Sequence, residues 1–279
     1  MMFKGKSIFN ASFDVYAENY HSVRPGYPAP LFDDIKEVCA VDKDSYLLEI
    51  GAGSGIATVE LEKFGCNIVA IEPGSQLAGI AREQTKTSKK IEVFEGTFEN
   101  FRPDRKFNAV LAFTAFHWLG EGDRYSHVLD MLDRSGSLVL VWNSFFQSDS
   151  YAVREVNKAY RTYLPDVYPD ESSVADVNEK VLSKLNGREQ EVMASRSFDA
   201  VYLRKFITTY NYNEQTYAKL LNTYPKIVEL EDRRREEFLS TVSSIVKRHG
   251  KLSVPVLTTL IICRRRDGFL EMVAKNGGG

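Results

Sequence analysis

Three glycines at alternate positions follow a short apolar run near the start of the chain. The run Leu47-Leu-Glu-Ile50 leads into Gly51-Ala-Gly-Ser-Gly55, and an amphipathic stretch begins at Ile56. Glycine accepts positive φ angles in a tight turn and lets a ligand approach the backbone closely. The free N–H groups at the start of the following helix point toward such a loop. The segment therefore predicts a ligand-binding loop between a strand and a helix, with the acidic Glu49 just before it.

A second acidic residue, Glu72, ends the next apolar run, Asn67-Ile-Val-Ala-Ile71, and is followed by Pro73. In open parallel sheets, ligands bind outside the carboxyl ends of the strands. A carboxylate at that edge can accept hydrogen bonds from the hydroxyls of a ribose. The glycine loop and Glu72 together predict a site for a cofactor that contains a nucleoside.

The spacing of the glycines argues against two other nucleotide-binding loops. In the dinucleotide fingerprint GxGxxG, the third glycine would fall at Ile56 when counted from Gly51, or at Thr58 when counted from Gly53. A phosphate-binding Walker loop needs a lysine after the glycines, and none is present. A nicotinamide-dependent oxidoreductase is therefore disfavoured, although it remains an alternative hypothesis.

Short apolar runs alternate with amphipathic stretches through the first half of the chain, which is typical of βαβ units. Later strands are predicted at residues 201–209 and 255–263, and a charged helix at 227–247. We therefore expect an α/β fold with a Rossmann-like, seven-stranded, mostly parallel sheet, helices on both faces and a helical insertion at 144–200. Residues 1–275 are predicted to form a single domain, with a flexible tail at 276–279. The strands of the first half are predicted at 46–50, 67–71, 91–94, 107–113 and 137–142.

The composition excludes several classes of protein. A net charge of −2 with 43% hydrophobic residues is that of an ordinary globular chain, not of a disordered or polybasic one. Three distant cysteines without CxxC spacing argue against a disulfide framework and a zinc site. No His, Asp or Glu cluster has metal-ligand spacing, and no apolar run is long enough to span a bilayer. We expect a cytoplasmic protein without a metal, and neither nucleic-acid nor membrane binding.

The segment from Leu47 to Gly55 resembles the first motif of the class I S-adenosylmethionine-dependent methyltransferases. That motif is a hydrophobic pair, an acid, a hydrophobic residue and GxGxG, and the family's second motif is an acid at the end of the second strand, as Glu72 is here. The resemblance implies S-adenosyl-L-methionine as the cofactor. It places the methionyl part against the loop, the ammonium group near Glu49 and the ribose at the end of the second strand. The residues so implied are Glu49, Gly51, Ala52, Gly53, Glu72 and Pro73.

Two further segments extend the resemblance. Glu95-Gly-Thr-Phe-Glu99 follows the third strand, where this family contacts adenine, so Thr97 and Phe98 are expected to border the base. Phe113-Thr-Ala-Phe-His-Trp118 follows the fourth strand, where the catalytic face begins, so Phe113 and Thr114 are also expected at the cofactor. Enzymes that methylate amino groups of nucleic-acid bases carry an Asn or Asp, two prolines and an aromatic residue there. The segment lacks that pattern, which disfavours base methylation.

The start of the chain resembles a small-molecule branch of this superfamily that includes trans-aconitate methyltransferase-like proteins. The resemblance rests on Phe13-Asp-Val-Tyr-Ala-Glu-Asn-Tyr20, on Arg24-Pro-Gly-Tyr-Pro28 and on the His-Trp pair after the fourth strand. It is good over residues 12–143 and loose over 144–200. It implies that the last strand is antiparallel and that residues 144–200 form a lid over the acceptor site.

Several residues are candidates for the methyl acceptor's site. His117 is the candidate base, which is needed only if the acceptor carries a proton, and a packing or substrate-contacting role is equally open. Trp118 and Trp142 are expected to line the pocket. Arg24, between Tyr20 and Tyr27, is suited to clamp a carboxylate.

The sequence therefore predicts methyl transfer to a small molecule by a monomer or homodimer. A carboxylate or hydroxyl oxygen is favoured as the acceptor atom. The alternative is a protein that binds S-adenosylmethionine or S-adenosylhomocysteine without transferase activity.

Overall fold

A computed structural model describes residues 16–120, 124–168 and 173–266. Part of the opening segment, residues 13–15, and the tail at 276–279 lie outside these ranges. The chain divides into two compact units. The sheet unit comprises Gly26–Asn143, Leu185–Phe206 and Thr258–Gly279. The helical unit comprises Met1–Pro25, Ser144–Lys184 and Ile207–Leu257.

All seven strands contribute to the sheet unit, in the order β3-β2-β1-β4-β5-β7-β6. β1 pairs in parallel with β2 and β4, β2 with β3, and β4 with β5. The central runs are apolar throughout because both faces of a parallel sheet are covered. The predicted Rossmann-like, mostly parallel fold is confirmed. The strands are β1 (Tyr46–Ile50), β2 (Asn67–Glu72), β3 (Ile91–Glu95), β4 (Phe107–Phe113), β5 (Leu132–Phe145), β6 (Phe198–Tyr212) and β7 (Leu252–Arg265).

The last strand runs antiparallel to β5, as the family resemblance implied. Arg264, near the end of β7, donates to the carbonyl of Ser135 near the start of β5, at 2.7 Å. Thr258, earlier in β7, donates to the side chain of Asn143, late in β5, at 2.6 Å. The two contacts have opposite order along the two strands, so the strands point in opposite directions.

Helices flank the sheet and build the helical unit. One helix, α7 (Val174–Ala194), continues from the helical unit into the sheet unit. The sheet unit also contains α2 (Ala29–Val38), α3 (Ile56–Glu62), α4 (Ser75–Thr85) and α5 (Arg124–Met131). The helical unit also contains α1 (Ala17–Val23), α6 (Tyr151–Tyr163), α8 (Glu214–Leu221), α9 (Pro225–Val228) and α10 (Asp232–His249).

Each unit has its own apolar core. In the sheet unit, α2 and α3 cover apolar residues of the central strands, including Leu47, Ile68 and Leu111. In the helical unit, α6, α8 and α10 pack around Phe238, which is completely buried. Removing this much apolar surface from water is what holds such elements together.

Three predicted boundaries were wrong. The charged helix predicted at 227–247 is two helices, because α9 begins at Pro225 and the Arg235 side chain of α10 donates to the Val228 carbonyl at the end of α9. β5 begins upstream of its predicted start, directly after α5. β6 begins at Phe198, so the end of the predicted insertion is strand rather than helix. The role of the insertion as a lid stays a prediction.

Within the described ranges, no helix is long and apolar enough to cross a membrane. In the same residues, no group of three or more His, Cys, Asp or Glu side chains is placed to hold a metal ion. Cys39, Cys66 and Cys263 are buried free thiols. Burial raises the pKa of Cys263 to about 12, so this thiol is not ionised at neutral pH.

Candidate functional site

The glycine loop joins β1 to α3 in a conformation that other residues rarely adopt. Gly51, Gly53 and Gly55 have φ angles of +68°, +59° and +84°. A Cβ atom on Gly51 would lie 2.5 Å from the Cβ of Ala115, which follows β4. The first glycine is therefore required both by its backbone angle and by a close neighbour.

Glu72 fastens the end of β2 to this loop. The residue is 6% exposed, and its Oε2 accepts a hydrogen bond from the backbone N–H of Gly53 at 2.8 Å. Its Oε1 accepts one from the N–H of Gly74, which precedes α4, at 2.8 Å. Glu72 thus stands at the carboxyl edge of the sheet, where the sequence predicted it, and its contact with a ribose stays a prediction.

Glu49 has a buried carboxyl group, and one of its two oxygens has no hydrogen-bond partner among the described residues. It is 1% exposed, and its Oε2 accepts a hydrogen bond from the Thr58 hydroxyl at 2.6 Å. Its Oε1 is buried and has no hydrogen-bond partner among the described residues. Burial, with a smaller contribution from the charge of Glu72, raises the pKa of Glu49 to about 8 against the lowering effect of the Thr58 hydrogen bond. A cation at Oε1 would favour the ionised form, so the group fits the ammonium end of S-adenosyl-L-methionine.

The residues after β3 form a short turn. The N–H of Gly96 donates to the Glu72 carbonyl at 3.0 Å, which places this turn beside the end of β2. Thr97 precedes a 3-10 turn at Phe98–Asn100. Phe98 is buried, and its ring centroid lies 4.4 Å from that of His127 on α5. The predicted adenine contacts of Thr97 and Phe98 stay predictions.

Phe113 and Thr114 end β4 in different ways. Phe113 is buried, with its ring 5.9 Å from Phe32 and 4.9 Å from Tyr27, centroid to centroid. Thr114 has a φ of +56°, which is unfavourable for a residue with a β-branched side chain. Its N–H donates to the Val141 carbonyl at 2.7 Å, which holds it in this conformation. Strained residues of this kind cluster at functional sites.

His117, the candidate base, is a neutral group. Burial, together with the positive charges of Arg188 and Arg124, lowers its pKa to about 3. Its Nδ1 is buried and has no hydrogen-bond partner among the described residues. The ring lies 4.8 Å from that of Trp118, which is 39% exposed. At neutral pH, this imidazole can make hydrogen bonds but is a weak base.

Trp142 lies beneath an arginine that the sequence analysis did not single out. Trp142 is 2% exposed, and its indole Nε1 has no partner among the described residues. The Cζ of Arg188, on α7, lies 5.2 Å from the ring centroid. The neighbouring Glu191 accepts hydrogen bonds from Arg124 and from the Tyr125 hydroxyl instead. Two donors of the sheet unit, a guanidinium and an indole N–H, thus lack an acceptor in the described part of the chain.

Tyr20 and Arg24 lie together in the helical unit. The Nε of Arg24 donates to the Thr223 hydroxyl and its Nη2 to the Thr223 carbonyl, both at 2.9 Å. Its Cζ lies 5.0 Å from the ring centroid of Tyr20 and 4.8 Å from that of Tyr224. Much of this guanidinium is engaged inside the helical unit, and its predicted contact with a substrate stays a prediction.

Three residues of the sheet unit were not predicted. Thr58 was considered only as a missing glycine, although its place in the first turn of the helix after the loop is a usable signal. Asn143 donates to the Gly26 carbonyl at 3.0 Å and its backbone N–H to the Thr114 hydroxyl at 3.1 Å. Nothing in the local sequence around Arg188 points to Trp142, since the two are brought together only by folding.

Comparison with known proteins adds independent findings. Residues 48–139 match the model of a family described as a methyltransferase domain. An uncharacterized methyltransferase from Alkaliphilus oremlandii is 27% identical over 164 residues, which are 54% of this chain and 74% of that protein. One from Bacillus thuringiensis is 27% identical over 152 residues, or 51% and 71% of the two chains.

Solved structures share the fold at low sequence identity. A putative type II methyltransferase from Anaeromyxobacter dehalogenans superposes with a TM-score of 0.57 at 16% identity, over 87% of this chain and 97% of that one. A methyltransferase from Thiobacillus denitrificans, solved with S-adenosyl-L-homocysteine, gives 0.53 at 12% identity, over 90% and 98%.

The matched range contains the glycine loop, Glu49 and Glu72. The structural likeness supports the fold of the whole described chain, whereas the family match concerns the part that carries the predicted cofactor residues. The narrower, trans-aconitate methyltransferase-like branch stays a prediction. Residues 48–139 match a methyltransferase domain, and the comparisons confirm the predicted enzyme class and its cofactor, S-adenosyl-L-methionine.

Proposed function

We propose that this chain transfers a methyl group from S-adenosyl-L-methionine to a small molecule, with a carboxylate oxygen as the acceptor atom. The observation that carries the proposal is the buried Glu49, with one unpartnered oxygen, beside a glycine loop that Glu72 fastens. When bound, the cofactor supplies a methyl carbon activated by a sulfonium. The protein therefore needs mainly to bind and align the two reactants.

The cofactor would be held by residues at the carboxyl ends of β1 and β2. Glu49 Oε1 would accept a hydrogen bond from the ammonium group, and the Glu72 carboxylate would accept hydrogen bonds from the ribose hydroxyls. Gly51, Ala52 and Gly53 would line the methionyl part. Thr97, Phe98 and Pro73 would contact the nucleoside. Phe113 and Thr114 would contact the cofactor near the glycine loop.

The acceptor side favours a carboxylate for two reasons. Arg188 and the Trp142 N–H are donors without acceptors in the described residues, and an anion would satisfy both. A carboxylate also needs no base, and His117, with its lowered pKa of about 3, is poorly suited to deprotonate a hydroxyl. His117 and Trp118 are proposed to contact the acceptor. Tyr20 and Arg24 of the helical unit are kept as candidates for binding a carboxylate.

The test is the formation of S-adenosylhomocysteine with a panel of small carboxylic acids, each paired with the alcohol and amine of the same carbon skeleton. We expect turnover with acids only. For an active acid, Arg188→Ala should raise KM at least tenfold and leave kcat within a factor of about three. Arg204→Ala, which removes an exposed partner of Asp34 in the sheet unit, is the matched control.

Two outcomes contradict the proposal. Turnover of the alcohols or amines alone would reject the carboxylate as the acceptor. Tight cofactor binding without S-adenosylhomocysteine formation across the panel would favour a cofactor-binding protein without transferase activity.

A further inference from the structure

The helical unit contains a cavity of about 510 Å³. This volume falls in the range of small-molecule sites, about 300–1,000 Å³. Its walls come from α6, α7, α8 and α9, from the end of β5 and the residues after it, and from the start of β7. None of the residues proposed above for the cofactor lines it.

Most of the cavity wall is apolar and firmly packed. Aliphatic side chains with at most 6% exposure form its floor, among them Val153, Val156, Leu164, Leu220 and Ile227. Tyrosine rings complete the wall, and burial keeps their hydroxyls protonated. Burial raises the pKa of Tyr224 to about 12, for example. The wall therefore suits a flat or aliphatic body and offers hydroxyl donors rather than negative charge.

The charged residues on the wall are all cationic. Arg161, Lys180, Lys184 and Lys226 line the cavity, and none of the described lining residues is acidic. Lys180 and Lys184 lie one turn apart on α7, a spacing at which like charges repel. Lys226 is paired with Glu229 at 2.9 Å, whereas the structure shows no salt bridge for Lys184 or Arg161 within the described ranges.

The amides at the cavity are already satisfied. Gln147 and Asn157 exchange side-chain hydrogen bonds of 3.0 and 2.8 Å. The backbone N–H of Gln147 donates to Asn178 at 2.8 Å, and Asn178 donates back to its carbonyl at 2.9 Å. The charged groups of the wall that show no partner in the described part of the chain are therefore the positively charged side chains of Lys184 and Arg161.

We propose that this cavity binds an organic anion with an apolar body, whose charged group lies against Lys184 and Arg161. The apolar wall supplies most of the contact area, as in small-molecule sites generally, and the cations select the charged end. The proposal does not depend on the methyl-transfer function.

The probe for the test is 1-anilinonaphthalene-8-sulfonate, a fluorescent aromatic anion. Its neutral counterpart, N-phenyl-1-naphthylamine, has the same body without the sulfonate. Binding of both is titrated by fluorescence to the full chain, with S-adenosylhomocysteine in excess. Variants are Lys184→Glu, Arg161→Glu and Val181→Trp, which fills the cavity from α7. Lys158→Glu is the charge control, because Lys158 is exposed on α6 and does not line the cavity.

We expect one anion per chain, and about tenfold weaker binding in each of the two charge-reversal variants at the cavity. Lys158→Glu should leave the affinity unchanged, and the neutral probe should not respond to any charge change. Val181→Trp should abolish the binding of both probes, while its melting curve, followed by circular dichroism, should be unaltered. If the anion binds Val181→Trp normally, it binds elsewhere and the proposal fails. It also fails if the charge changes weaken both probes equally. A variant that melts early is replaced by Val177→Trp on the same helix face.

Discussion

The two units handle buried polarity in opposite ways. The sheet unit buries two carboxyl groups, Glu49 and Glu72, which accept hydrogen bonds from backbone N–H groups and one hydroxyl while one oxygen of Glu49 has no partner among the described residues. The helical unit has an apolar cavity whose charges are cations, and the exposed Lys184 lies on its wall. A site formed by backbone N–H groups is disrupted by small changes in the path of the chain. A cavity lined by side chains tolerates larger changes of the backbone. We therefore expect substitutions to affect the units differently.

The largest effect is expected from a substitution in the glycine loop, which should impair the cofactor site but not the cavity of the helical unit. Gly51→Ala places a left-handed alanine against Ala115, so we expect a loss of about 2–4 kcal/mol in the free energy of unfolding and at least 100-fold weaker cofactor binding. Gly65→Ala is the control, because Gly65 has a φ of +71° with nothing within 4 Å of the added Cβ. It should cost about 1–2 kcal/mol, from the backbone angle alone.

Calorimetric titration with S-adenosylhomocysteine and urea unfolding measure these effects. Adding Ala115→Gly to Gly51→Ala removes the contact with the Ala115 side chain. The double variant should therefore lose only as much free energy of unfolding as Gly65→Ala does. Binding of the anionic probe in the helical unit should persist in every variant that stays folded. Equal costs for Gly51→Ala and Gly65→Ala would show that the contact with Ala115 is unimportant.

The next effect concerns the carboxylate that fastens the loop. Glu72→Ala removes the acceptor of the Gly53 and Gly74 N–H groups and the proposed ribose contact. We expect S-adenosyl-L-methionine to bind at least tenfold more weakly, measured by calorimetry. Glu92→Ala, an exposed change on β3, is the control and should bind normally. An unchanged affinity for Glu72→Ala would argue against the proposed position of the cofactor.

A pH dependence follows from Glu49. Its pKa is raised from 4.5 to about 8 in the folded chain, so the unfolded chain releases this proton first. The contribution of Glu49 to stability is therefore full below pH 4.5 and is lost as the pH rises toward 8, by at most about 1.4 kcal/mol per pH unit. Glu49→Gln should flatten this slope in urea unfolding between pH 5 and 8. An unchanged slope would mean that Glu49 does not hold its proton.

The same group should make cofactor binding respond to pH in the opposite direction. An ammonium group at Glu49 favours the ionised carboxylate, so the affinity for S-adenosylhomocysteine should rise between pH 6 and 7.5. Glu49→Gln should bind more weakly and without this trend. If the affinity of Glu49→Gln rises with pH in the same way, the pH dependence does not come from Glu49.

The smallest expected effect is that of His117. Because its pKa is lowered to about 3, its protonation does not change between pH 5 and 8. The kcat/KM profile of an active acid should therefore show no step from His117 in that range, and His117→Gln should have the same profile shape. A step near pH 6–7 that disappears in His117→Gln would make this residue a general base.

The sheet unit could be predicted from the sequence to a large extent, because its signals are local. Apolar runs mark β1 to β4, and the loop after β1 carries its three glycines at alternate positions within five residues. The family resemblance added the roles of Glu49 and Glu72. The boundaries around β5, β6 and α9 were less predictable, since they depend on contacts such as that between Arg235 and Val228.

The sequence by itself determined the succession of strands and helices along the first half of the chain, the glycine loop, and the acidic residues Glu49 and Glu72, because hydrophobic periodicity and glycine act within a few neighbouring residues. Tertiary structure alone decided which groups are left without partners. It placed Arg188 over Trp142, left one oxygen of Glu49 unpaired and gathered the cations around a cavity in the helical unit. These contacts join residues far apart in the chain, and burial, which no local pattern records, sets their energies.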